Sequence, residues 1–219
     1  MHSSEKLIEY YINAAHGALL RIKDMSNINT DIPIWRRGDV YPADWPEWLR
    51  AADIEWCRAE IKEDGRVIWH DGMWCDGHWY DGVWYNGDWC AGTWYSGVWH
   101  DGDWHNGVWH KGVWHEGTWY DGEWCAGTWR NGHWHAGTWR NGEWRDGTWR
   151  NGTWCNGTWR DGEWYSGEWK RGEWRDGEWY DGYWYNGNWY AGAWYGGVWH
   201  GGYWRNGGVW STRQRVTRA

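Results

Sequence analysis

The sequence predicts an all-β tandem-repeat protein: an antiparallel β-meander of short hairpin-linked strands behind a small α-helical N-terminal segment. Three observations predict it. A tryptophan falls on every fifth residue from Trp69 to Trp204, giving 28 consecutive copies of a unit Trp-x-z-Gly-y. The z-Gly pair is most often Asp-Gly or Asn-Gly, the strongest short-range signal for two-residue hairpins, because a type I′ turn takes positive φ at both central residues. The charges also segregate, since x is never acidic and y is never Lys or Arg.

Taken in chain order, residues 4–23 place Leu7, Ile8, Tyr11, Ile12, Ala15, Leu19 and Ile22 at helical spacing behind Ser4 as N-cap. Asn27 to Asp31 break that helix. Asp44-Trp45-Pro46-Glu47 reads as a capping box with Pro in the first turn, starting a second helix to about Ile61 along a stripe of Trp45, Trp48, Leu49, Ala52, Trp56 and Ala59. Glu63-Asp64-Gly65 is a turn signal leading into Arg66-Val67-Ile68-Trp69. The second helix is expected to cover the first repeat, because terminal repeats need a cap. The chain therefore divides into a helical cap or docking segment (1–62), the Trp/Gly array (63–210) and a basic tail (211–219) carrying Arg213, Arg215 and Arg218. Gly207-Gly208 inserts one extra residue before Trp210, read as a bulge ending the regular ladder.

Within the array, three residues y-Trp-x remain between turns. Two closed forms fit. A four-sided solenoid of the pentapeptide-repeat type stacks residue n on n+20, which sets Glu123, Glu143 and Glu163 in one column and Arg130 on Arg150. Like charges directly opposite are destabilising. The meander instead sets each x across its turn from the following y, placing Glu143 between Arg140 and Arg150 and Glu163 between Arg160 and Lys170. It also puts Glu168 between Tyr165 and Arg175, and brings Glu123 to Arg130, Glu173 to Lys170 and Glu178 to Arg175. The charges favour the meander.

Segments such as Tyr80-Asp81-Gly82-Val83-Trp84-Tyr85-Asn86-Gly87 and Tyr120-Asp121-Gly122-Glu123-Trp124-Cys125-Ala126-Gly127 resemble the Y-x-G-x-W-x-x-G opening of MORN repeats. The resemblance covers the repeat region and implies an antiparallel hairpin array with scaffolding, dimerisation or membrane-association roles. The rest of a MORN unit, G-x-x-x-G-x-G, is replaced here by further five-residue copies, so no functional residue carries over.

Alternation along y-Trp-x sends every indole to one side of its strand, with x and y on the other. Trp69, Trp74, Trp79, Trp84, Trp89, Trp94, Trp99 and Trp104 begin this ladder, and Gly72, Gly77, Gly82 and Gly87 are the first turn glycines. Burying one indole is worth about 5 kcal/mol. The Trp side is therefore expected to be covered, by inward coiling or by a second copy.

Composition narrows the function. A formal net charge of −8 offers no general attraction to nucleic acid, and basic residues are interleaved with acidic ones. No apolar run is long enough to span a bilayer, and charges interrupt the N-terminus where a signal peptide would be apolar, so a cytoplasmic protein or part of an intracellularly assembled particle is expected. Five cysteines without a C-x-x-C pair suggest free thiols. In the meander Cys75 and Cys90 lie on opposite edges, too far apart for a disulfide, so a bridge between them would instead favour a three-sided solenoid. The run His100, His105, His110 and His115 suggests a metal, yet the meander spreads it over two edges, with same-edge members ~10 Å apart. Arg37-Gly38-Asp39 spells an adhesion tripeptide in an inter-helix loop. No triad or carboxylate pair stands out, so no catalytic, metal or cofactor residue is assigned. The expected function is a non-enzymatic structural or scaffold protein mediating protein association, self-association or assembly, including that of a virion. The alternative is a carbohydrate or polymer surface-binding module using Tyr180, Tyr185, Tyr190 and Tyr195.

Overall fold

The computed structural model describes residues 32–204 and 209–210. The expected first helix (4–23), the tail (211–219) and Gly207-Gly208 lie outside them. The array is a three-sided parallel β-solenoid of about nine coils, and the antiparallel meander is not formed. Residue n pairs in parallel with n+15: Trp69 with Trp84, Trp74 with Trp89, Trp79 with Trp94. Neither the meander's register nor the n+20 stacking of a four-sided solenoid occurs.

Each strand is a two-residue y-Trp pair, from β3 (His78–Trp79) to β28 (Tyr203–Trp204) and β29 (Val209–Trp210). The longer β2 (Val67–Asp76) turns one corner and opens both of the first two faces. Face 1 runs through Trp69, Trp84 and every fifteenth residue after, face 2 likewise from Trp74, and face 3 from Trp79. The x N–H donates to the carbonyl of the Trp sixteen residues earlier, and the y N–H to the corresponding Gly carbonyl, at 2.7–3.1 Å. β29 pairs Val209 with Ala193 and Trp210 with Trp194, so the ladder continues past the added residue.

The turns explain the correction. Among the described residues only Trp56, outside the array, has positive φ without being Gly, so the z residue never takes the conformation a type I′ turn demands. The z-Gly pair forms a corner. Gly alone takes positive φ, and the Asp or Asn side chain at z accepts the N–H of that Gly, as Asp146 does from Gly147 at 2.6 Å and Asn131 from Gly132 at 2.7 Å. The glycine is required twice over. At Gly137 (φ +112°) a Cβ would sit 2.4 Å from the Gly122 carbonyl oxygen on the preceding coil.

The core is made of indoles. Trp69 through Trp189 along the repeat are fully buried and Trp194 is 3% exposed. Each ring stacks on the one fifteen residues away at 4.7–5.0 Å and 4–10° between planes. It also meets the one five residues away edge-on, at 5.5–6.1 Å and 62–78°. Both arrangements are those that aromatic quadrupoles prefer. Of the two expected covers for the Trp side, inward coiling is the one realised.

The segment before the array also departs from expectation. The second helix is a single turn, α1 (Glu47–Arg50), and β1 (Asp53–Ile61) follows where the helix was expected to continue. β1 pairs antiparallel with β2 through the turn at Glu63-Asp64-Gly65. It gives partners to the exposed edge of β2, which would otherwise carry unpaired backbone groups on two faces. α1 covers the third face, where Trp48 meets Trp79 edge-on at 5.4 Å. Trp45, Leu49, Ile54, Cys57 and Ala59 fill the space between cap and first coil.

Candidate interaction surface

With every repeat indole turned inward, the chemistry outside is carried by x and y, which flank each Trp on the outward side, and by z at the corners. Because y and x are two residues apart on one face, an acidic y meets a basic x within its own strand or one coil on. Glu143 pairs with Arg145 at 3.3 Å and, more closely, with Arg160. Glu173 pairs with Arg175 and Glu168 with Lys170, both at 2.6 Å. Glu123 is held by Arg140, whose hydrogen bond keeps that carboxyl below the usual carboxylate range. Glu163 and Glu178 accept from the hydroxyls of Tyr165 and Tyr180. These replace the pairings across turns that the meander implied. The segregation of x and y is real, and its cause is proximity within one strand.

Stacking at one-coil intervals also sorts the x residues into three columns. On face 1, Arg130, Arg145, Arg160 and Arg175 succeed one another, ending with Arg175 over the Tyr190 ring at 4.5 Å. Like-charge neighbours do occur: Glu163 is in register with Glu178, and Asp88 with Asp103.

The four tyrosines singled out in the sequence are divided among all three faces. Tyr180 and Tyr195 stack at 5.1 Å on face 2, continuing a column from Tyr165, which the sequence reading did not join to them. Tyr185 stands on face 3 between Lys170 and His200, and Tyr190 on face 1. Stacking closes the ring faces against each other and leaves edges and hydroxyls outward. The histidine run is divided likewise. His100 and His115 stack at 4.7 Å on face 1, His105 stacks on Tyr120 on face 2, and His110 on Tyr95 on face 3. The expected two-edge arrangement is thus a three-edge one. Among the described residues no group of three or more His, Cys, Asp or Glu is arranged to hold a metal ion. No family model, curated protein or solved structure matches this chain.

The cap carries the remaining features. Arg37 of the Arg-Gly-Asp tripeptide makes a two-pronged ion pair with Asp53 at 2.7 and 2.9 Å, and Asp39 accepts the Arg36 N–H, so the tripeptide is a closed turn tied to β1. Arg58 and Asp71 form a largely buried pair at 2.9 Å between β1 and β2. Shallow hollows open on either side of Trp48, both bordered by Tyr80. No helix among the described residues is long and apolar enough to cross a membrane.

Proposed function

We propose that the protein is a non-enzymatic scaffold, a stiff rod that mediates protein association or assembly, including that of a larger particle. The carrying observation is the interior: among the described residues, three columns of stacked indoles fill it from the cap onward. Each coil contacts its neighbours through the same stack, the construction of quasi-one-dimensional repeat proteins, which present partners along an extended surface. Outside, many acidic y residues are already occupied by neighbouring Arg, Lys or Tyr, which suits discrete polar docking better than capture of a polyanion.

The carbohydrate-binding alternative draws on the exposed tyrosines. It is less well served, because its four residues lie on three faces and stacked rings hide the surfaces a sugar would lie on. Analytical ultracentrifugation and particle imaging of the full chain over a concentration range test the scaffold reading, expected to show ordered self-association or saturable retention by a protein partner. A strictly monomeric protein that instead bound a polysaccharide array, and lost that binding when Tyr165, Tyr180 and Tyr195 were replaced, would refute it.

A further inference from the structure

Cys75 and Cys90 occupy consecutive rungs of face 2. The residues just before them are in direct register, Met73 with Asp88 and Trp74 with Trp89, and the Cys90 N–H donates to the Trp74 carbonyl at 2.8 Å. Their backbones are thus one rung, ~4.8 Å, apart. A disulfide needs a Cα separation of roughly 4.4–6.8 Å. Both thiols are free and buried, 3% and 6% exposed. The other cysteines lack such a partner. Cys57 lies against Gly72, three residues along β2 from Cys75. Cys125 and Cys155 share face 3 but have the rung of Arg140 between them, which sets them ~10 Å apart.

We propose that Cys75 and Cys90 are a peroxide-responsive dithiol whose oxidation to a disulfide staples the first coil of the solenoid to the second. The surroundings assign the roles. A hydrogen bond between the thiols eases ionisation of Cys75 and pushes the Cys90 thiol up, so Cys75 is the first thiolate and Cys90 keeps its proton. Arg37, anchored on Asp53, adds positive charge near Cys75, while Asp53 and Glu55 oppose ionisation there and Asp88 opposes it at Cys90.

The Cys75 thiolate attacks one oxygen of hydrogen peroxide. The O–O bond breaks, the leaving hydroxide takes up a proton to become water, and Cys75 becomes a sulfenic acid. The Cys90 sulfur then attacks the Cys75 sulfur. The S–S bond forms, the S–O bond breaks, and the departing hydroxyl leaves as a second water with the Cys90 proton. Two thiols and one peroxide become one disulfide and two waters. Burial beneath the cap admits an oxidant of two heavy atoms and hinders a bulky disulfide such as oxidised glutathione.

The test treats the full chain with hydrogen peroxide, quenches it in denaturant with an alkylating agent, and maps peptides by mass spectrometry. Expected are three alkylated cysteines out of the five, a mass loss of about 2 Da, and a linked peptide joining Cys75 to Cys90. The oxidised protein melts at higher temperature, and oxidised glutathione at equal oxidising capacity reacts more slowly. In Cys90→Ser, dimedone added with the denaturant traps a sulfenic acid on Cys75. Five alkylatable thiols after treatment, a sulfinic acid on Cys75 without a crosslink in the unaltered chain, or a bridge that uses another cysteine would each overturn the proposal.

Discussion

Two glycines show how position sets the meaning of a residue. Gly38 and Gly137 both have positive φ, but a Cβ on Gly38 meets nothing within 4 Å, whereas on Gly137 it meets the carbonyl of Gly122. Gly38→Ala should therefore cost only the strain of its backbone, about 1 kcal/mol. Gly137→Ala must also push two coils apart, and a loss of ~3 kcal/mol or more is expected. Urea unfolding of both variants checks this, and equal losses would show that close approach between coils is not what selects glycine. The indoles are a second case. Trp129 stacks on Trp114 and Trp144 and meets Trp124 and Trp134 edge-on. Trp129→Leu should cost about 3 kcal/mol, since it leaves a void that rings in rigid columns cannot close.

The indole N–H is the polar cost of this core. In most repeat tryptophans it is buried without an acceptor, at about 1–3 kcal/mol each. The indole nitrogens of Trp154, Trp169 and Trp179 lie beside the corner glycines Gly172, Gly187 and Gly197, and the Trp179 N–H donates to the Gly196 carbonyl at 3.1 Å. Ring burial, worth about 5 kcal/mol, outweighs the loss.

At the scale of elements, the cap shows a local pattern overruled by an edge. Trp48 and Leu49 do lie in a helix, but from Asp53 the chain extends because β2 needs a partner. The helical stripe through Trp56 and Ala59 was a coincidence of spacing. Trp56 takes φ 54° between register shifts in β1, and Arg36 lies over its ring at 4.1 Å. The Arg58–Asp71 pair fastens β1 to β2. Burial already raises the Asp71 carboxyl above its usual range, and Arg58 opposes that. Arg58→Ala leaves the carboxylate buried and unpaired, with an expected loss of about 3 kcal/mol in thermal unfolding. The exposed pairs differ: with Arg145 and Arg160 half exposed, Glu143→Ala should change stability by less than ~1 kcal/mol.

For the whole molecule, length and pH response follow from stacking. About nine coils at ~4.8 Å make a rod ~43 Å long, against ~130 Å for a straight ribbon of the same strands. Deleting residues 121–150 removes two coils, so small-angle scattering should record a rod ~10 Å shorter with its Trp still protected from acrylamide. His100, His115 and His135 all have pKa values lowered, first by burial, and Arg130 and Arg150 add repulsion at His115 and His135. In the unfolded chain these groups bind protons more readily, so stability is complete above the ordinary imidazole pKa of ~6.5 and declines as pH falls below it. Melting between pH 7.5 and 5 should show that decline, and His100→Asn with His115→Asn should flatten it. An unchanged slope would mean the stacked imidazoles do not carry it.

The sequence by itself determined the five-residue unit, the placing of the repeat indoles on one side of their strands, their removal from water, the turn at Glu63-Asp64-Gly65 and a change of chain direction at each z-Gly. Each is a property of one unit or of alternation along one strand. Direction and closure were decided only by the tertiary structure. An Asp-Gly pair can reverse a chain or turn it through one side of a triangle, and the choice depends on what fills the space the chain encloses. The charges of x and y were read against the wrong neighbours because they differ by tenths of a kcal/mol per pair. Three indoles per coil, each worth several kcal/mol, fit a fifteen-residue circuit, and the surface charges accommodate the register that this core imposes.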